Sequence, residues 1–110
     1  MVRVLRRVYI AGPMTGIANY NRRAFFEAAQ TITDKTCLVP VHTAWMCIGY
    51  DYETYMDMSL DLLELCEFVT TLPGWEDSIG AQREILFAQK NGIPHVEFGE
   101  LFVQFPKYDY

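Results

Sequence analysis

The 110-residue sequence is poor in cysteine, in basic charge and in long apolar runs, and each shortage closes off a class of function. Its three cysteines, Cys37, Cys47 and Cys66, are odd in number and far apart, with no C-x-x-C pair. They read as reduced thiols, not as disulfides or zinc ligands. Nine Lys and Arg stand against fourteen Asp and Glu, a net charge of -5. That balance offers no uniform positive field for a nucleic-acid polymer or an anionic membrane surface. No apolar stretch approaches the ~20 residues that span a bilayer. Met1 to Arg7 leads straight into a strand-like run and not into a signal-peptide core, so a cytoplasmic protein is expected. Neither the dinucleotide pattern G-x-G-x-x-G nor a P-loop with its lysine occurs.

What is present is enough for one core. At 51% hydrophobic content, residues 1–110 are expected to form a single domain. The most informative stretch is Leu72-Pro73-Gly74-Trp75-Glu76-Asp77-Ser78-Ile79-Gly80-Ala81-Gln82-Arg83-Glu84. It follows Phe68-Val69-Thr70-Thr71-Leu72, which is β-branched and short enough to be a buried strand. Pro73-Gly74 ends that strand, and Asp77 or Ser78 can cap a helix. From there Ala81, Glu84, Ile85 and Ala88 fall at i, i+3, i+4, i+7, the face a helix turns to its core. Glu84 is the intruder, because a carboxylate in an apolar stripe loses hydration worth several kcal/mol. Either it snorkels from the edge of the stripe, or the helix delivers it into a pocket.

The first strand, Val4 to Ala11, must stop at Gly12-Pro13-Met14-Thr15-Gly16, where glycines permit close approach to a ligand as well as ordinary turns. Asn19 or Asn21 can cap the next helix, with Phe25, Ala28, Ala29 and Ile32 facing inward. Arg22 and Arg23 sit in its first turn, where the helix dipole disfavours cations; the misfit fits a nearby anion or two solvated arginines. Cys37 to Val41 reads as a second strand with Pro40 at an exposed edge or near its end. His42, just beyond, suits a hydrogen-bonded loop residue better than a catalyst. Trp45, Met46, Ile48 and Tyr50 can roof a pocket or bury against a second subunit. From Tyr52 to Glu67 an amphipathic helix sets Asp57, Asp61 and Glu64 to water and Tyr55, Met56, Ser59, Leu63 and Cys66 inward. Asn91-Gly92 closes the Glu84 helix, Ile93 to Phe98 reads as a fourth strand, and the aromatic tail with Phe102, Phe105, Tyr108 and Tyr110 is expected to dock on its own domain or a neighbour.

Strands alternating with helices imply parallel βαβ crossovers and a sheet covered on both faces. Ligands then sit beyond the carboxyl ends of the strands, where the strand order reverses. Gly12-Pro13, His42, Trp75 to Ser78 and the start of the Glu84 helix all belong to that rim.

Val8-Tyr9-Ile10-Ala11-Gly12-Pro13-Met14-Thr15-Gly16, and Leu72 to Ala81 with Glu84 and Ala88, resemble the small nucleoside 2-deoxyribosyltransferase-like proteins. The likeness runs from about Val8 to Gly92 and is nearest to a branch labelled as a domain of unknown function, common in phage and bacterial genomes. Better-studied relatives are the transferases and the 2'-deoxynucleoside 5'-phosphate N-hydrolases. The resemblance implies a flavodoxin-like or Rossmann-like α/β three-layer sandwich with a mostly parallel sheet of four or five strands. It implies that Glu84 attacks the anomeric carbon with Tyr9 beside it, that Ser78 and the following helix start, including Gly80, hold a phosphate, and that Gly12, Pro13 and Met14 lie by the sugar. Trp75, in the more specific motif, is placed with the substrate-binding residues. The partner implied is a small-molecule nucleoside or nucleotide, with no cofactor and no metal, in a homodimer or larger homo-oligomer. Relatives often place an aspartate where this chain has Ser59, which could bind sugar or water instead. Loss of that acid motivates an alternative, a non-catalytic nucleotide-binding or sequestering module in phage–host conflict.

Overall fold

Alternation along the first strand sorts the chain into layers. The computed structural model of the chain describes residues 6–46 and 49–107. The expected strand start at Val4 and residues Cys47, Ile48, Tyr108 and Tyr110 lie outside the described residues. Strand β1, Arg7–Ala11, is central. It pairs in parallel with β2, Val39–Val41, and with β3, Phe68–Thr71, in the order β2-β1-β3. In register, Tyr9 lies between Val41 and Val69. Because successive strand side chains point to opposite faces, Val8 and Ile10 pack on one side and Tyr9 and Ala11 on the other.

Helix α1, Arg22–Lys35, covers the first side with Phe25, Ala28 and Ile32. Helix α4, Phe98–Gln104, joins it through Leu101, and Phe102 and Phe105 of the aromatic tail pack on the same cluster. Helices α2, Tyr52–Glu64, and α3, Ile79–Lys90, cover the other side with Leu63, Ala81, Ile85 and Ala88. The result is a mixed α/β arrangement of three layers around a parallel sheet. Asp57, Asp61 and Glu64 face water, as the helical period requires. No described helix is long and apolar enough to cross a membrane.

Three strands form ladders among the described residues, not four or five. Ile93 to Phe98 makes a single parallel bridge, Val69 to His95, supported by Val69 N–H to the Pro94 carbonyl at 3.0 Å and Val96 N–H to the Val69 carbonyl at 2.8 Å. Pro94 has no N–H to extend a ladder, and Phe98 already opens α4, so the segment ends before a strand can develop. The start of α1 also differs from expectation. Asn21 occupies the cap position in left-handed backbone, φ 60°, and makes no side-chain cap. Its amide instead donates to the Pro13 carbonyl at 3.0 Å, tying the glycine-proline loop to the helix. By contrast Ser78 caps α3 as its position suggests, accepting from Ala81 N–H at 3.2 Å, and Asp51 caps α2 by accepting from Thr54 N–H at 2.8 Å.

Candidate active site

In the order β2-β1-β3 the chain lies first to one side of β1 and later to the other, and a crevice lies at that switch point beyond the carboxyl ends of the strands. A cleft of about 920 Å³ fills it. Gly12, Pro13 and Met14 line it from the first loop, Ser78 and Gly80 from the start of α3, and Tyr9 and Glu84 from its floor. Seven of the nine residues named from the sequence are thus brought together. The other two are not. Trp75 is absent from the lining; it packs into the core beside α2 and α3 and sets its ring edge-on to His95, centroids 5.6 Å apart. Ser59 is fully buried beneath the cleft, with its hydroxyl 3.5 Å from Thr43 Oγ1, and so does not meet a ligand directly.

Glu84 reaches the floor because α3 presents it between Ala81, Ile85 and Ala88, all buried. Its residue exposure is 7%, which rules out the snorkelling alternative. Tyr9 Oη donates a hydrogen bond to Glu84 Oε2. Burial pushes the Glu84 carboxyl up to about 8, against the opposing pull of the Tyr9 hydrogen bond. At neutral pH the protonated form is therefore favoured in the folded chain. Burial, and next the neighbouring Glu84 charge, raises the Tyr9 phenol well above its ordinary value, so Tyr9 remains a donor.

Gly12 has a specific steric role. A Cβ there would lie 2.9 Å from Leu72 Cβ and 3.0 Å from Leu72 Cδ1. Glycine lets the two loops leaving the sheet approach each other, and Leu72, not a ligand, takes the space. Gly74, at φ 87°, supplies the left-handed turn that begins the second loop.

Other lining residues were harder to single out. Arg22, at the start of α1, is the one basic side chain among the described lining residues, and it also donates to the Met46 carbonyl at 3.4 Å. Arg23 instead faces water and pairs with Glu27 at 2.8 Å. Thr43, Tyr52 and Tyr55 line the cleft, as do Met46 and Tyr50 of the proposed roof, whereas Trp45 is exposed and lies outside the lining. His42 is buried against Phe25 and Phe26, and its Nδ1 accepts from Ala44 N–H at 3.1 Å. Burial lowers its imidazole, which keeps that nitrogen an acceptor. It holds the loop and does not face the cleft. Cys37 and Cys66 are free thiols, Cys66 pushed up to about 12 by burial and hence unreactive.

In fold the chain is similar to the 2-desoxiribosyltransferase from Leishmania mexicana, with a TM-score of 0.66 and 16% identity over 84% of this chain. It covers 63% of that protein, less than two thirds of its length. Identity that low speaks to the shared fold alone. No curated protein matches the sequence. A family model matches residues 6–97, from the start of β1 through the cleft to the approach to α4, and the chain therefore belongs to the family described as Domain of unknown function (DUF4406).

Proposed function

We propose that the protein cleaves or transfers the N-glycosidic bond of a 2'-deoxynucleoside or its 5'-monophosphate, with Glu84 as nucleophile. The observation that carries this is a buried carboxylate on the floor of an open cleft, oriented by a tyrosine proton. A salt-bridged structural glutamate would have a cationic partner; among the described residues Glu84 pairs with a phenol and with no cation. Rupture of the bond to the base builds positive charge at the anomeric carbon, which an adjacent carboxylate stabilises and then captures as a glycosyl ester. Water releases the sugar, and a second base at the same place regenerates a nucleoside. The resemblance noted in the two sequence motifs and the similarity to a 2-desoxiribosyltransferase support the same chemistry. Ser78 at the α3 N-terminus and Arg22 across the cleft offer donors to a 5'-phosphate.

A second reading, a nucleotide-binding module without turnover, draws on two observations. Burial favours the protonated form of Glu84, and Ser59 stands where relatives often carry an aspartate that could protonate a departing base. Incubation with each of the four deoxynucleosides and their monophosphates, followed by chromatography for free base, separates the readings. Base release that disappears in Glu84→Gln is the expected result. Calorimetric binding of unchanged nucleotide without release would favour the second reading, and release undiminished in Glu84→Gln would end the first. The small-molecule site is proposed to work within a homo-oligomer, for which the exposed Trp45, Tyr50 and Ile79 offer apolar surface; light scattering at micromolar concentration tests this.

A further inference from the structure

Three consecutive residues beside the cleft share a backbone that L-amino acids rarely adopt. Asn19, Tyr20 and Asn21 have φ of 53°, 53° and 60°, and among the described residues no other non-glycine residue has positive φ. Asparagine visits this left-handed region singly; a run of three with a tyrosine at its centre is disfavoured at each position. Hydrogen bonds hold the run in place. Tyr20 N–H donates to the Ile17 carbonyl at 2.9 Å, Arg22 N–H to the Asn19 carbonyl, and the Asn21 amide to the Pro13 carbonyl at 3.0 Å. Burial does not contribute, because no residue of Ala18–Asn21 is buried. Strain that packing does not offset is the kind that persists where a conformation is itself used.

What the turn displays is Tyr20. It lines the cleft together with Ile17 and Arg22, yet 45% of it is exposed. Other tyrosines of the cleft are already engaged. Tyr9 donates to Glu84, Tyr55 Oη is bonded to Thr43 Oγ1 and to Met14 Sδ, and the Arg83 guanidinium lies over the Tyr52 ring, 5.5 Å from its centroid. Tyr50 shares the exposure of Tyr20 but not its left-handed backbone. Among the described residues no aromatic or cationic group lies over the Tyr20 ring. An exposed, unpartnered ring set at a cleft by strained backbone is arranged to receive another flat apolar face. Every nucleobase has such a face, so an aromatic side chain stacks on all of them.

Resting on a nucleoside or nucleotide as the ligand, we propose that Tyr20 is a recognition residue that stacks its ring on the base, and that the left-handed turn Asn19–Asn21 holds it over the cleft. Binding then removes the ring from water, and the apolar contact that the turn lacks in the free chain is made by the ligand. Tyr20 touches no reacting atom in this arrangement. It orients the base while the bond to the sugar breaks, and it offers the same platform to an incoming base. Stacking reads the flat face and not the hydrogen-bonding edge, so Tyr20 favours ligands that carry a base without selecting strongly among the four.

The test is titration calorimetry on the full chain carrying Glu84→Gln, so that bound ligand is not consumed. The probes are the four 2'-deoxynucleoside 5'-monophosphates and, as a ligand without a base, 2-deoxyribose 5-phosphate. Tyr20→Asn removes the ring on a residue that left-handed backbone tolerates; it should weaken all four monophosphates by about 10- to 100-fold and leave 2-deoxyribose 5-phosphate as it was. Tyr20→Phe keeps the ring and should keep the affinities. Tyr20→Leu, apolar but not flat, carries the test if Tyr20→Asn fails to fold. Asn21→Ala removes the amide that holds Pro13 and should weaken the monophosphates with Tyr20 intact. Monophosphate affinity unmoved by loss of the ring, or lost in equal measure with that of 2-deoxyribose 5-phosphate, overturns the proposal; affinity unmoved in Asn21→Ala overturns the part assigned to the turn. The glycosidase reading fails separately. Glu84-containing chain that binds monophosphates through Tyr20 but releases no base sinks the enzyme and keeps the platform, whereas release with the same KM in Tyr20→Asn does the reverse. Binding of none of the five probes ends both.

Discussion

The two faces of the sheet differ in what they bury. Below Val8 and Ile10 the contacts are almost wholly aliphatic and aromatic, from Phe25, Ala28, Ile32 and Leu101. Above Tyr9 the same central strand faces a carboxylate and hydroxyls as well as Leu63, Ala81 and Ile85. One face repays its conformational cost by removing apolar surface from water; the other gives up part of that return to hold Glu84 dry. A change of one register position in β1 separates stability from chemistry. Disrupting each face in turn should therefore produce opposite signatures.

The largest effect is expected at Glu84. Glu84→Gln keeps the shape and removes the nucleophile, and should lower base release by about a thousandfold or more. The same variant should be the more stable protein at alkaline pH. Glu84 titrates at about 8 when folded against an ordinary 4.5, so the folded chain holds the extra proton across that window. Stability of the parent therefore falls as pH rises from about 4.5 through about 8 and levels beyond it, by roughly 3–5 kcal/mol. Melting temperatures measured at pH 5 and pH 9 should converge in Glu84→Gln and diverge in the parent. A parent with no such fall would show that Glu84 is not held in a dry site.

On the opposite face Ile32→Ala should behave in reverse. Ile32 is fully buried against Val8 and Ile10, and its truncation should cost about 2–5 kcal/mol in denaturant unfolding. Activity per folded molecule should stay with the parent. A loss of kcat larger than the unfolded fraction accounts for would mean that the two faces are coupled through the sheet.

Tyr9→Phe stands between these extremes, because Tyr9 belongs to the chemical face but does not react. Removing its hydroxyl leaves the Glu84 oxygen without a donor, so base release should fall about 10- to 100-fold and the Glu84 midpoint should move above about 8. Apolar packing is retained, so at pH 5, where Glu84 is neutral in the folded state, the unfolding free energy should fall by only about 1–3 kcal/mol for the lost buried hydrogen bond. A pH profile of kcat/KM identical to that of the parent would remove Tyr9 from the mechanism.

This contrast also marks where the sequence was legible. Ala81, Glu84, Ile85 and Ala88 obey the helical period, and a carboxylate inside that period is visible without coordinates. Ser59 shows its inward position on α2 in the same way. Thr43 could not be seen, since a single threonine in a loop has no period and reaches the cleft and Tyr55 only when the end of β2 meets α2. Trp75 was misplaced for a related reason: the motif puts it on the rim, but the 3-10 turn over Trp75–Asp77 directs its ring toward His95 and the core. Ile93 to Phe98 carries the composition of a strand, and what stops it is the early start of α4 at Phe98, which the aromatic tail earns by packing Phe98, Phe102 and Phe105 on the α1 side.

Gly12 joins the two faces, and its substitution should give the smallest effect. In Gly12→Ala the new methyl meets Leu72 Cβ at 2.9 Å, an atom fixed to the backbone and unable to swing aside. The loops after β1 and β3 must separate by a few tenths of an ångström, at a cost of about 1–2 kcal/mol. Leu72 belongs to the apolar cluster and Gly12 lines the cleft, so a single methyl should register on both readouts: a modest fall in unfolding free energy and a rise in KM with kcat nearly kept. Leu72→Gly in the same chain removes that Cβ, and should relieve the clash and recover KM while lowering stability further. A KM that does not recover would mean that the glycine serves a ligand contact, and that the space beside it is not governed by the meeting of the two loops.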